Sequence, residues 1–155
     1  MPFTTLAEMV AQQRADATAI TAPAGDTPCT ALTYGALSAL IDRTVSTLNG
    51  QGIGRGDRVA IVLPNCPEMA TAFVAVASAC TSAPLNMAYR ADEFEFYLSD
   101  LKAKALIVAE GAQTPARDVA AKLGVRVLEL RPMPGRGAGD FDLVAQGVGA
   151  TLAAS

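Results

Sequence analysis

Three kinds of group in this sequence could take part in catalysis or ligand binding: thiols, a glycine-rich turn and a set of carboxylates. The cysteines are Cys29, Cys66 and Cys80, and the sequence contains no histidine. Their spacing does not match a zinc site, and a cysteine nucleophile normally needs an imidazole or another base beside it. We therefore expect Cys66 and Cys80 to be small core residues. An odd number of cysteines without a signal peptide predicts reduced thiols and a cytoplasmic location.

The glycine-rich run Gly52–Asp57 has the composition of a phosphate-binding loop but the wrong position in the chain. Phosphate-binding glycines follow a strand and open a helix, so that the phosphate meets the N-terminus of the helix. Here the glycines follow a helical pattern and precede a strand pattern. We therefore interpret the run as a tight helix-to-strand turn.

The carboxylates Asp92, Glu93 and Glu95 lie at the start of a predicted helix, Ala91–Lys102. Two neighbouring acids can act as a general acid and base, but no partner base or metal ligand lies nearby in the sequence. Acidic groups at this end of a helix complement its dipole. We interpret the three as a solvated, dipole-complementing face, and we assign no catalytic, cofactor-binding or metal-binding residue from the sequence.

Composition limits the remaining possibilities. The chain has 155 residues, of which 51% are hydrophobic and 17% are charged, with a net charge of -3. This is the size of one domain with a substantial core. Few, scattered basic residues and few aromatics argue against a nucleic-acid partner.

The uncharged run from Met69 to Tyr89 is nearly long enough to cross a membrane. Its polar residues and alanines favour a buried core element instead, and we predict no membrane span.

The central stretch Arg58–Asn86 reads as strand, turn, helix and strand. Val59–Leu63 is a continuous apolar run, the pattern of a strand covered on both faces. Pro67 fits the first position of a helix. The helix is apolar nearly all round, so we expect it to be buried between other elements. Its apolar stripe is predicted to comprise Met69, Phe73, Val76 and Cys80.

Strands and helices alternate along the rest of the chain, which predicts a layered α/β domain with a mainly parallel sheet and right-handed βαβ crossovers. The parallel strands are predicted at Val59–Leu63, Ala83–Leu85, Lys104–Ala109 and Val125–Leu130. A hairpin is predicted from Ala19–Ala22 and Thr30–Leu32, with its turn at Pro23–Asp26. The further helices are predicted from a Thr5/Glu8 capping box to near Ala15, from Thr33 to Gly50 or Gly52, and from Thr114 to Gly124.

The end of the chain differs in composition from the rest. Residues 1–131 are predicted to form the α/β unit, whereas 132–155 are rich in glycine and proline and show no sustained period. We interpret 132–155 as a mostly irregular loop or linker with at most a short strand or turn near Phe141–Val144.

Three sequence pieces together resemble the opening of AMP-forming acyl-CoA synthetases, in the adenylate-forming superfamily. They are Leu32-Thr33-Tyr34; Gly52 through Gly56-Asp57-Arg58-Val59-Ala60; and Pro84-Leu85-Asn86 followed by Glu93-Phe94 and Leu98-Ser99-Asp100. The resemblance covers residues 4 to 130. The run APLNMAYRADEFEFYLSD is most similar to the oxalyl-CoA synthetase branch, with fatty-acyl and 4-coumarate ligases similar here. Arg90 departs from that branch, which has a helix-capping Thr at this position.

The resemblance implies a parent enzyme that converts a carboxylic acid, ATP and CoA into an acyl-CoA, AMP and pyrophosphate, with ATP, Mg²⁺ and CoA as its ligands. No residue here matches a catalytic motif of that family, and its Lys-Gly phosphate loop is not found in the sequence. The only lysines are Lys102, Lys104 and Lys122. We therefore expect an N-terminal scaffold portion that is inactive alone, holds no cofactor itself, and has the remainder of the ligase chain as its partner.

Two other functions are compatible with the residues. One is a non-catalytic α/β interaction module that forms a homodimer, or docks a partner chain, through an exposed sheet edge or apolar face. The other is a flavodoxin-like nucleotide-binding protein, with its ligand held by the loops after the strands Val59–Leu63 and Leu106–Val108. Prolines after the first of these strands remove N–H donors that a phosphate would need.

Overall fold

The computed structural model describes residues 4–22 and 30–145. Its α-helices are α1 (Leu6–Ala11), α2 (Tyr34–Gly50), α3 (Pro67–Ala77), α4 (Ala91–Leu101) and α5 (Pro115–Leu123), with a 3₁₀ turn at Pro134–Arg136. The strands are β1 (Thr18–Ile20), β2 (Leu32–Thr33), β3 (Arg58–Val62), β4 (Thr81–Pro84), β5 (Ala105–Ala109), β6 (Arg126–Pro132) and β7 (Phe141–Ala145). Among these residues, no helix combines the length and the apolar character needed to cross a membrane.

The main sheet has five strands in the order β4-β3-β5-β6-β7. The pairs β3–β4, β3–β5 and β5–β6 are parallel, and β7 runs antiparallel to β6. Helix α3 connects β3 to β4, α4 connects β4 to β5, and α5 connects β5 to β6. The predicted α/β class with a mainly parallel sheet is therefore confirmed.

Helices cover both faces of the sheet. Val59 and Ile61 of β3 belong to the core that contains the buried residues of α2 and α3. Ala60 and Val62, which alternate with them, belong to the core shared with α4 and α5. Because neither face of β3 meets water, its sequence is a continuous apolar run rather than an alternation.

The prediction that α3 is buried between other elements, rather than lying on a surface, is wrong for one side of the helix. Its buried face consists of Thr71, Ala72, Ala75 and Val76, whereas Phe73 is 43% exposed. The alanines allow α3 to pack closely against the sheet and α2, and Phe73 lies to one side of that face. The helix also ends at Ala77, so that Cys80 lies beyond it.

Helix α1 begins as predicted but ends earlier. The Glu8 N–H donates to Thr5 Oγ1 at 3.1 Å, and the Thr5 N–H donates to the Glu8 carboxylate at 3.2 Å, which confirms the capping box. The helix ends at Ala11 instead of near Ala15. The Ala15 carbonyl accepts a hydrogen bond from the Gly35 N–H at 3.0 Å, so a contact with the start of α2 replaces further helix.

The predicted hairpin strands do pair. β1 and β2 are antiparallel, with Thr18 opposite Thr33 and Ile20 opposite Leu32. The predicted turn at Pro23–Asp26 lies outside the described residues.

The described part of the tail, 132–145, packs on the sheet and on two helices. β7, which lies where the sequence allowed a short strand, pairs with β6 from Phe141 opposite Pro132 to Ala145 opposite Leu128. Thr71 Oγ1 on α3 donates to the Gly139 carbonyl at 2.6 Å. The side chain of Asp140 is 3% exposed and pairs with Arg43 of α2 at 2.8 Å. The division of the chain at residue 131 into a domain and a linker stays a prediction.

Gly139 should tolerate no side chain. Its φ is 83°, and a Cβ there would lie 2.8 Å from Thr71 Cγ2 and 2.9 Å from the Pro67 carbonyl oxygen. We expect Gly139→Ala to lower the free energy of unfolding by about 2–4 kcal/mol, through left-handed backbone strain and overpacking. Urea denaturation measures the change. Gly135→Ala is the matched control, because a Cβ there meets nothing within 4 Å. Equal stability of the two variants would contradict this packing of the tail.

Candidate functional site

Two adjoining crevices lie at the carboxyl ends of β3, β4 and β5, and we refer to them together as the carboxyl-edge crevice. The larger has a volume of about 350 Å³ and the smaller about 100 Å³, and both are lined by Pro64 and Met87. The larger is also lined by Leu63, Asn65, Met69, Pro84, Leu85 and Asn86. The smaller is also lined by Val62, Ala109, Ala112, Gln113, Thr114 and Pro115.

The sheet topology explains why a crevice forms here. From β3 the chain passes through α3 to β4 on one side, and then returns through α4 to β5 on the other side of β3. The loop after β3 leads to α3 on one face of the sheet, whereas the loops after β4 and β5 lead to α4 and α5 on the other face, so the loops diverge and leave a gap at the carboxyl edge. In open α/β sheets, ligands bind at such a topological switch point. The carboxyl-edge crevice is therefore the candidate functional site of this chain.

The side chains that line this crevice carry no formal charge. Its polar groups are the amides of Asn65, Asn86 and Gln113 and the hydroxyl of Thr114. Thr114 Oγ1 accepts the Ala116 N–H at 3.2 Å and so caps α5, while Asn86 Oδ1 accepts the Ala88 N–H at 2.9 Å. A triphosphate needs cations or several convergent N–H donors. The lining of the crevice does not supply them.

An arginine beside the crevice has its hydrogen bonds directed elsewhere. Arg117 Nε donates to the Ala112 carbonyl at 2.6 Å. Its Nη2 donates to the Ala109 carbonyl at 3.1 Å and to the Glu129 carboxylate at 2.7 Å. The Arg117 and Glu129 side chains are only 19% and 15% exposed. Arg117 therefore fixes the loop after β5, which forms one rim of the crevice, and is not free to bind a ligand.

A second ion pair lies at the carboxyl end of the sheet. Arg131 Nε lies 2.7 Å from the Glu110 carboxylate. This hydrogen bond from Arg131 lowers the pKa of Glu110, whose side chain remains in contact with solvent. The pair neutralises both groups and adds no net charge to this edge.

Three other cations lie at the opposite, amino edge of the sheet and contact the ends of helices. Arg58 Nη1 donates to the carbonyl of Leu101, at the end of α4, at 3.2 Å. Just after α2, Lys104 Nζ donates to the Gly52 carbonyl at 2.7 Å and Arg126 Nη1 to the Gln51 carbonyl at 2.6 Å. Cations are favourable at this end of a helix because it carries the negative end of the dipole.

The glycine-rich run is a turn between α2 and β3, as predicted, since α2 ends at Gly50 and β3 begins at Arg58. The Gly54 N–H donates to the Asp57 carboxylate at 2.8 Å. This hydrogen bond is the main reason that the pKa of Asp57 is lowered, and Lys104 contributes further. A carboxylate within the run thus occupies an N–H that a phosphate would need.

The described thiols are in surroundings that suppress reactivity. Cys66 is the residue before α3, and burial raises the pKa of its thiol. Burial also raises the pKa of the Cys80 thiol to about 11, with a smaller contribution from the charge of Asp57. Both are half-buried free thiols, and a thiol with a raised pKa is a poor nucleophile at neutral pH. Cys29 lies outside the described residues.

The acidic residues of α4 are not gathered into a site. Glu95 pairs with Lys122 of α5 at 2.8 Å. Glu93 accepts the Arg90 N–H at 3.4 Å, whereas the Arg90 side chain has no acceptor and does not cap the N–H groups of the first turn of α4. Asp92 is exposed. Within residues 4–22 and 30–145, His, Cys, Asp and Glu form no group of three or more that could hold a metal ion. That the chain carries no site residues of its own stays a prediction.

The comparison with protein-family models identifies the chain. The model for AMP-binding enzymes matches residues 7–139. This chain belongs to the AMP-binding enzyme family. The resemblance to AMP-forming acyl-CoA synthetases inferred from the sequence is thereby confirmed.

Similar proteins in the family are CoA ligases. An oxalate–CoA ligase of Arabidopsis thaliana is 46% identical over 96 residues, which cover 61% of this chain and 19% of the relative. A probable CoA ligase of Humulus lupulus, CCL9, is 43% identical over 95 residues, which cover 61% of this chain and 18% of the relative. The matched part of the chain therefore spans about a fifth of the length of these relatives.

Solved structures show the same fold. The crystal structure of apo MatB from Rhodopseudomonas palustris superposes with a TM-score of 0.69 at 23% identity, covering 92% of this chain and 30% of MatB. The likeness shows that this chain shares its α/β fold with a part of MatB.

The raised thiol pKa values predict the rate of alkylation at each cysteine. Because the thiolate is the reactive form, we expect Cys80 to reach half its maximal rate of reaction with iodoacetamide only at pH about 11. Cys66 should reach half its maximal rate at a pH above the ordinary pKa of a free thiol. Peptide mapping by mass spectrometry at a series of pH values measures each site separately. In urea both thiols should titrate as free cysteine. Alkylation of native Cys80 as fast as free cysteine at neutral pH would show that its surroundings are misassigned.

Proposed function

We propose that this chain forms the N-terminal scaffold of an AMP-forming carboxylic acid–CoA ligase. In that enzyme the acid and ATP give an acyl-adenylate and pyrophosphate, and the thiol of CoA then displaces AMP to give the acyl-CoA thioester. The observation that carries the proposal is the family match over residues 7–139. The 46% identity to an oxalate–CoA ligase supports a ligase with a small carboxylic acid substrate, and oxalate is the first acid to test.

The scaffold role follows from the chemistry of the described residues. ATP, Mg²⁺ and CoA are the ligands of the proposed enzyme, but the uncharged lining of the carboxyl-edge crevice does not fit a triphosphate with its metal ion. The Arg117 and Arg131 side chains, at the same edge, are paired with carboxylates. The proposal therefore assigns phosphate and metal binding to the remainder of the ligase, and assigns to this chain the sheet against which that remainder packs.

The partner in the proposal is the remainder of a ligase chain, and the location is the cytoplasm. The matched region corresponds to only 19% of the length of the oxalate–CoA ligase, so most of that enzyme has no counterpart here. The free thiols of Cys66 and Cys80 are typical of a reducing compartment.

The scaffold proposal predicts no catalysis by the isolated chain and a gain of activity when the remainder is supplied. We expect isothermal titration with ATP–Mg²⁺ to give no micromolar binding, and assays with oxalate, ATP and CoA to give no oxalyl-CoA. The same assay is then run with an oxalate–CoA ligase that lacks the region matching this chain, alone and with the chain added. Activity only in the mixture supports the proposal. Thioester synthesis by the isolated chain would contradict it.

A second candidate function is self-association through the open edge of β7. The Met133 N–H donates to the Asp140 carbonyl at 2.8 Å. Because antiparallel ladders alternate, Phe141, Leu143 and Ala145 direct their main-chain groups away from β6. Leu143 and Ala145 also continue the apolar core to this edge. An edge of this kind is a template for pairing with another strand.

Self-association through β7 predicts a dimer in sedimentation experiments that Val144→Lys converts to a monomer, since a lysine on an edge strand opposes pairing. Phe73→Lys is the matched control, because it places the same charge on the exposed face of α3. Loss of the dimer in Phe73→Lys alone would assign the contact to the α3 face. A monomer at every concentration of the unmodified chain would exclude the dimer.

A further inference from the structure

The carboxyl-edge crevice has the size of a site for one small molecule. Its larger part has a volume of about 350 Å³, and the smaller part of about 100 Å³ adjoins it at Pro64 and Met87. Small-molecule sites occupy roughly 300–1,000 Å³. The crevice is therefore at the lower end of this range and suits a compact group rather than a nucleotide.

The charges around the crevice exclude an ion as its occupant. The lining side chains are uncharged, and Arg117 and Arg131, at the same edge of the sheet, are each bound to a carboxylate, Arg117 to Glu129 and Arg131 to Glu110. An anion that left water for this crevice would lose hydration without meeting an available cation, which is unfavourable. A cation would meet no free carboxylate among the lining residues.

The uncharged groups that remain define the ligand that fits. The amides of Asn65 and Gln113 each combine N–H donors with a carbonyl oxygen, the pattern that a second carboxamide complements. Asn86, whose Oδ1 accepts the Ala88 N–H, adds its N–H donors. The apolar part of the lining includes Met69 and Met87, whose thioethers are adaptable and make favourable contacts with aromatic rings. The rim of the smaller part is held in place by the hydrogen bonds of Arg117 to Ala109 and Ala112.

We propose that the carboxyl-edge crevice binds an uncharged ligand that carries a carboxamide on a flat apolar body. The proposal goes beyond the ligase function and does not rest on it, because every group it uses belongs to the described part of this chain. Benzamide is a suitable probe, and benzoate is its matched anion, with nearly the same shape but a full negative charge.

Two-dimensional NMR of the amide-labelled chain tests the proposal. We expect benzamide to shift the side-chain amide signals of Asn65, Asn86 and Gln113, with a dissociation constant of about 10 mM or lower for a ligand of this size. Benzoate at the same concentrations should leave them unchanged. Equal shifts with benzoate, shifts spread over the whole surface, or no shift with benzamide would each overturn the proposal.

Two variants separate binding in the crevice from changes in folding. Met87 lines both parts and is 50% exposed, so Met87→Ala should leave the fold intact and weaken benzamide binding at least fivefold. Met9→Ala on α1 is the control, since Met9 is 40% exposed and lies outside the crevice. Gln113→Lys supplies a cation and should allow benzoate to bind. Unchanged affinity in Met87→Ala, or no benzoate binding in Gln113→Lys, would contradict the proposed site.

Discussion

The position of β3 between β4 and β5 is the constraint on which the rest of the structure depends. β3 pairs in parallel with both neighbours, so its main chain is hydrogen-bonded on both sides. Its alternating residues enter two separate cores, one with α2 and α3 and the other with α4 and α5. Parallel pairing also brings the carboxyl ends of the strands to one edge. The carboxyl-edge crevice is thus a consequence of the strand order, and its side chains only determine what it can hold.

Strand direction also determines at which edge of the sheet positively charged side chains can stabilise the ends of helices. Connecting helices of a parallel sheet run opposite to the strands, so their carbonyl ends lie at the amino edge. Arg58 contacts such a carbonyl at the end of α4 and satisfies a group that a helix leaves unpaired. Lys104 and Arg126 contact the carbonyls of Gly52 and Gln51, just after α2. The same cations at the other edge would have favoured phosphate binding. Their placement stabilises the scaffold and agrees with the proposal that the remainder of the ligase binds the nucleotide.

The strands β3 and β5 could be predicted from the sequence because burial on both faces gives them a strong local signal. Val59–Leu63 differs by one residue at each end from the observed β3, Arg58–Val62. Helix α3 was harder, because its many alanines make every face look apolar and conceal that Phe73 is outside the packed face. The tail was harder still. Gly137 and Gly139 adopt positive φ angles in a turn that leads the chain back to β6, and no local periodicity reports such a return.

The candidate site could be predicted only in part. The topology rule pointed to the loops after two of the strands, and the structure places a crevice there. Its composition could not be foreseen, because Pro64, Met87 and Gln113 are distant in the sequence and meet only through the strand order. The pairing of Arg117 with Glu129 was not foreseen either. A basic residue in the first turn of a helix opposes the helix dipole, and this mismatch is the sequence signal that could have indicated a compensating partner.

Pro84 makes the two borders of the sheet unequal. The N–H groups of Thr81 and Leu85 donate towards β3, so in this alternating ladder the nitrogen of Pro84 is on the outer side, where it has no hydrogen to offer. A strand added beside β4 would miss a hydrogen bond at the carboxyl end of β4, where Pro84 is the last residue, whereas one added beside β7 would not. Enlargement of this sheet by further polypeptide, whether from the same enzyme or from another copy, is therefore favoured beside β7 over β4.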